Sequence, residues 1–127
     1  MKKVALVCRY LLALALTVFG LDKFLHFMPM PDAPVEGQGF LGALADAGYV
    51  FPGVGLVFLF TAACLLTGRI VLGLLVLAPV TLNIVLYHIR YDLPGIAAGA
   101  VIALLQVVLF YCHWRDLLPL LKGYRRD

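Results

Sequence analysis

Three stretches of this chain, residues 49–68, 70–89 and 93–114, contain no charged residue, and a fourth, residues 4–21, contains only Arg9. About 20 apolar residues rising 1.5 Å each cover the roughly 30 Å hydrocarbon core of a bilayer. A helix at the surface of a soluble domain needs one polar face, and these stretches have none to offer. Composition points the same way. Of 127 residues, 64% are hydrophobic and 13% charged, with mean hydropathy +1.02, against about 45–50% and about 25% in soluble domains. The chain is therefore expected to be all-α, a polytopic membrane protein built as one four-transmembrane-helix bundle over residues 1–127.

Taken in order, the first span is expected over residues 4–27. Met1-Lys2-Lys3 before an apolar run has the look of a signal peptide. However, the run continues past Arg9-Tyr10 to Leu21, no Ala-x-Ala site follows, and Asp22-Lys23 stand where small residues belong. An outer loop covers residues 28–48. Its first half, Met28-Pro29-Met30-Pro31-Asp32-Ala33-Pro34, cannot stay helical, because proline removes a donor and restrains its predecessor. In its second half Phe40, Leu41 and Leu44 recur at helical spacing, with Asp46 off their face. A short interfacial helix between spans one and two follows from that pattern, over Gln38 to Ala47. The remaining spans are expected over residues 49–67, 70–88 and 95–114. Gly68-Arg69 and Arg90-Tyr91-Asp92-Leu93-Pro94 form the turns between them, and residues 115–127 form a short basic tail rather than a domain. Pro79 sits inside the third span, where neighbouring helices or Thr81 must satisfy the backbone it frees. Gly95, Gly99 and Ala103 recur every four residues and make a smooth strip for close helix approach.

With four spans both termini share a side. Lys2, Lys3, Arg9, Arg69, Arg115, Lys122, Arg125 and Arg126 fall there, against Asp116 and Asp127. The opposite side has Lys23 and Arg90 against Asp22, Asp32, Glu36, Asp46 and Asp92. The positive-inside rule then places both termini in the cytoplasm of a multi-pass protein of a bacterial cytoplasmic membrane. Tyr10, Tyr111 and Trp114 make an inner aromatic belt, and Phe24, Phe27, Tyr49, Phe51, Tyr87 and Tyr91 an outer one. The basic residues lie at chain ends and in a turn, not in a patch. No nucleic-acid partner is expected.

The chemistry-bearing residues gather at two depths. At the outer ends of spans one and three, Asp22, Lys23 and His26 are level with Asn83, Tyr87, His88, Arg90 and Asp92. Asp22 and His26 are four apart and share a helix face, with Lys23 turned away; Asn83 and Tyr87 share a face likewise. Asn83, about 20 Å into its span, is still in hydrocarbon and needs a partner. A carboxylate beside an imidazole, with amide and phenol donors near, suits hydrogen bonding to a quinone carbonyl and movement of its protons. The plainer reading has Lys23, His26 and Arg90 snorkelling to headgroups and Asn83 locking two helices. The candidate cofactor-binding set is Asp22, Lys23, His26, Asn83, Tyr87 and His88. At the inner ends lie Cys8, Cys64, Cys112 and His113. They contain no CxxC, their one close pair is adjacent in sequence, and no metal site is expected from them. Gln106, at mid-span, reads as an interhelical hydrogen bond.

Gly20-Leu21-Asp22-Lys23-Phe24 and His26-Phe27-Met28-Pro29-Met30-Pro31 at the end of span one carry a resemblance to the DoxX-like family of small four-helix membrane proteins. So do Gly48, Tyr49 and Pro52 at the start of span two, Leu65-Leu66-Thr67-Gly68-Arg69 at its end, and Ala78-Pro79-Val80, Asn83-Ile84, His88 and Asp92 in and after span three. The order and spacing of these motifs cover nearly the whole chain. The resemblance implies a membrane component or accessory of a quinone-linked redox system, because some relatives accompany membrane redox complexes, including a thiosulfate:quinone oxidoreductase. Quinone is the cofactor implied. The partners are membrane lipids, a soluble or membrane oxidoreductase and a second copy of the chain. Distant four-helix oxidoreductases that work through paired cysteines need a CxxC, which is missing here. The alternative function is a non-catalytic scaffold or a small-solute or lipid-binding protein without a redox role.

Overall fold

The computed structural model describes residues 2–28 and 34–123, and among them every regular element is helical. The helices are α1 (Lys2–Leu25), α2 (Val35–Ala47), α3 (Val50–Leu66), α4 (Ile70–Tyr91), α5 (Ala97–Cys112) and α6 (Trp114–Leu121), with a 3₁₀ turn at Leu93–Gly95. Residues 29–33 of the outer loop and 124–127 of the tail lie outside the described residues. So do the parts of the Gly20–Pro31 motif and of the charge asymmetry that fall on them.

Among the described residues two helices, α1 and α4, are long and apolar enough to cross a membrane. The number rises to four if α2 with α3, bent by 85°, and α5 with α6, bent by 80°, each count as one span. Helices α1, α3, α4 and α5 pack as a ring, each touching two neighbours. They alternate in direction. Gly20 near the end of α1 meets Phe58 and Leu59 of α3, while Arg9 near its start donates to the carbonyls of Leu65 and Leu66 at the end of α3. Those two carbonyls are among the four that a helix leaves unpaired at its C-terminus, and a guanidinium there also suits the negative end of the dipole.

A narrow inward stripe on each helix builds the core. Leu12 and Leu16 come from α1, Phe58, Ala62 and Leu65 from α3, Leu74 and Leu77 from α4, and Ile102 and Leu109 from α5. These recur at three- and four-residue steps, as one face of a helix must. The outer faces are apolar too: Leu14, Leu104 and Val107 are each more than 60% exposed. Such an all-round apolar surface fits a hydrocarbon surrounding and not water. Across the ring, Thr61 Oγ1 donates to Gly73 O at 3.2 Å, and Gln106 Nε2 donates to Leu74 O at 2.9 Å. The latter lies one residue before Leu75, whose carbonyl loses its i+4 donor at Pro79.

Four expectations are corrected. The first helix stops at Leu25, and His26 takes φ 52°, so the helix face that Asp22 and His26 were to share does not reach His26. The third helix runs on to Tyr91, since no breaker precedes Leu93-Pro94; Arg90 and Tyr91 are helical and the turn begins at Asp92. The fourth helix ends at Cys112, and a separate helix opens at Trp114, the last residue of the expected fourth span, and runs through the first residues of the expected tail to Leu121. Thr81 does not serve the backbone freed by Pro79: its hydroxyl is buried without a partner among the described residues.

Candidate functional site

A cavity of about 280 Å³ lies at the end of the ring where α1 and α4 finish and α3 and α5 begin. All five of α1 to α5 contribute to it. Its deep part is apolar, with Phe19 of α1, Phe58 of α3, Val80 of α4 and Ile102 of α5. Its shallow part carries Lys23, Asn83, Tyr87, His88 and Asp92.

The helix phases explain which polar residues face inward. On α1 the buried stripe Leu12, Leu16, Gly20 continues to residue 23 and not to 22. Lys23 therefore lines the cavity, its Nζ 5.9 Å from the centroid of Phe51. Gly55 on α3 permits this: a Cβ there would stand 2.9 Å from Lys23 Cβ and 2.8 Å from the Phe24 ring. On α4 the stripe Leu74, Leu77, Thr81 continues through Ile84 to His88, while Asn83 and Tyr87 lie on the flank turned towards α2.

Helix α2 roofs the cavity with Phe40, Leu41 and Leu44. Phe40 stacks on Tyr87 at 5.7 Å and on Tyr91 at 5.5 Å. Gly37 lies on the Tyr87 hydroxyl, leaving no room for a Cβ. That hydroxyl is buried and has no partner among the described residues, a state that costs about 1–3 kcal/mol. Glu36 and Arg90 add an ion pair at 3.7 Å, but both side chains are well exposed and the pair adds little. The helix ends at Gly48, whose φ of 82° is the left-handed conformation that closes a helix before Tyr49 starts the next turn.

His88 and Asp92 bind each other twice. Asp92 N donates to His88 O at 3.0 Å, and His88 Nδ1 lies 3.2 Å from Asp92 O. The Asp92 carboxylate is nearly buried, 3.9 Å from the same nitrogen, and occupies the space a side chain at Gly95 would need. Asn83 lines the cavity with its amide making no hydrogen bond among the described residues, so the interhelical partner expected for it is not found there.

Of the six candidate residues, the cavity brings together Lys23, Asn83, Tyr87 and His88 and leaves out Asp22 and His26. Asp22 Oδ1 accepts from Met28 N at 2.8 Å and fastens the chain as it leaves α1, and His26 is exposed. Asp92 joins the site without having been in the candidate set. The apolar walls from α2 and α3 were also unassigned. At the opposite end Cys64 packs its Cβ against Gly73, and His113 Nδ1 is 3.0 Å from Leu109 O. Among the described residues no three of His, Cys, Asp and Glu gather as metal ligands would. No protein-family model, curated protein or solved structure matches this chain.

Proposed function

We propose that the chain is a four-span membrane protein of the DoxX-like kind, serving a quinone-linked redox system by holding the ring of a lipid quinone in the cavity beneath α2. The observation that carries this reading is the cavity's polarity. Its shallow end offers Lys23, Asn83 and His88 to ring oxygens, and its deep end is lined by aromatic and branched side chains. Ligand sites combine mostly apolar walls with a few polar groups in this way. A volume of about 280 Å³ suits a single substituted ring, with the isoprenoid tail left to the surrounding lipid.

The membrane arrangement belongs to the same proposal. The 17 residues of α3 reach about 26 Å, and flanking Tyr49 and Thr67 extend them to the interface. The 85° angle between α2 and α3 suits α2 to lying along the outer surface, and the 80° angle between α5 and α6 suits α6 to lying along the inner one. Both termini then face the cytoplasm.

A second reading rests on Asp22 and on the Glu36–Arg90 pair. These groups serve the chain's own ends, as they would in a non-catalytic scaffold or lipid-binding protein. The two readings part on a lipid extract of the purified protein. Quinone at close to one per chain, falling severalfold in a Val54→Trp variant that fills the cavity, supports the quinone reading. No quinone from quinone-rich membranes, with respiration unchanged by the same substitution, sinks it.

A further inference from the structure

We propose that Nε2 of His88 accepts a hydrogen bond from a ring hydroxyl, so that the cavity holds the reduced, quinol form of its ligand more tightly than the oxidised quinone. The inference rests on the quinone reading above and adds which redox form the site prefers and which atom decides it.

The tautomer of His88 follows from what faces Nδ1. A backbone carbonyl can only accept, so Nδ1 of His88, 3.2 Å from Asp92 O, carries the hydrogen. In a neutral imidazole the other nitrogen is then left with a lone pair. The Asp92 carboxylate lies on the same side of the ring, 3.9 Å from Nδ1. The ring is also held in place. It stands edge-on to Tyr87, with centroids 5.0 Å apart at 75°, and its Cδ2 edge lies against Gly99 of α5. His88 lines the cavity, and Nε2 makes no hydrogen bond among the described residues. With the imidazole neutral, the site therefore presents an acceptor that has no donor among the described residues.

The opposite wall supplies the complement. Lys23 has only hydrogens to give, and no carboxylate lies within 4.0 Å of it among the described residues. A ligand that satisfies both walls needs one O–H and one oxygen acceptor. A quinol has both. A quinone has acceptors alone, and its carbonyl facing Nε2 would set lone pair against lone pair and leave the imidazole unpaired. A fatty-acid carboxylate fails at His88 for the same reason. One net hydrogen bond corresponds to a preference of roughly two- to tenfold.

The test uses the full chain in nanodiscs of zwitterionic lipid, titrated with a decyl-substituted benzoquinol under reducing conditions and with the matching benzoquinone. Wild type is expected to bind the quinol roughly two- to tenfold more tightly. In His88→Phe the ratio should fall to about one, while His88→Gln, whose amide oxygen can still accept, keeps part of it. Lys23→Met should move the ratio the other way, because the quinone's carbonyl is the better acceptor and loses more. A loss of packing alone would weaken both forms together, so opposite shifts in the two variants identify the hydrogen bonds. Equal binding of the two forms by wild type, or an unchanged ratio in His88→Phe, overturns the proposal. Failure of both forms to bind wild type overturns the quinone reading on which it stands.

Discussion

Gly20 and Gly55 set how closely α1 and α3 approach, and through that spacing they set where Lys23 points. A Cβ at Gly55 would meet Lys23 and Phe24 at under 3.0 Å, and the backbone oxygen of Gly20 at 3.2 Å; one at Gly53, two positions earlier, would meet nothing. In lipid there is no hydrophobic force between helices, so close packing of this kind supplies much of their association. Gly55→Val is expected to destabilise by about 1–3 kcal/mol through overpacking. Gly53→Ala should be neutral or stabilising by about 0.5–1 kcal/mol through its helix propensity. Unfolding midpoints of the purified protein in mild detergent compare the two. A Gly55→Val variant as stable as wild type would mean that α1 can shift without cost, and the placement of Lys23 would lose its physical basis.

At the scale of elements, two short helices define the ends of the ring. α2 is held over the cavity mainly by the Phe40 stack, since its ion pair is exposed. α6 is amphipathic: Trp114, Leu117, Leu118 and Leu121 fall on one face at helical spacing, with Arg115 at its flank and Asp116 on the other. Pro119, four after Arg115, gives the Arg115 carbonyl no donor, which suits a face turned to water and headgroups. Trp114 is the chain's one tryptophan, so its fluorescence reports on α6 directly. In the proposed topology its emission is blue-shifted, and lipids brominated near the headgroup quench it more than lipids brominated near the chain terminus. Emission as in water, with no bromolipid quenching, would show that α6 does not lie on the bilayer.

At the scale of the whole molecule, the ring of α1, α3, α4 and α5 carries its cavity at one end and Arg9, Arg69 and Trp114 at the other. The proposed orientation puts the cavity end outside. Gly39 stands on the open side of α2 with nothing near its Cβ position, so Gly39→Cys should react with an impermeant maleimide added to intact spheroplasts. Lys3→Cys and Lys122→Cys should react only after permeabilisation. The reverse pattern would invert the protein and turn the cavity to the cytoplasm.

The helical, apolar character of the chain was legible from its runs of uncharged residues, because a membrane helix must satisfy its backbone within itself and needs apolar side chains all round. The break at Gly68-Arg69 and the helix around Phe40, Leu41 and Leu44 were legible for local reasons, as turn chemistry and periodicity are local. The depth at which Lys23, Asn83, Tyr87 and His88 meet also followed from counting residues along each helix. Rotation about the helix axes did not. In a helix apolar on every side, hydrophobicity cannot say which face turns inward, and only the close approach of Gly20 to α3 and of Gly99 to α4 decides it. That contact selects Lys23 over Asp22, and the left-handed turn at His26 removes a residue that spacing alone had kept. Asp92 enters the site because α4 runs three residues past the expected end of the span at residue 88 and delivers the carboxylate beside His88. Such choices depend on interactions between residues far apart in sequence, and only the tertiary structure could make them.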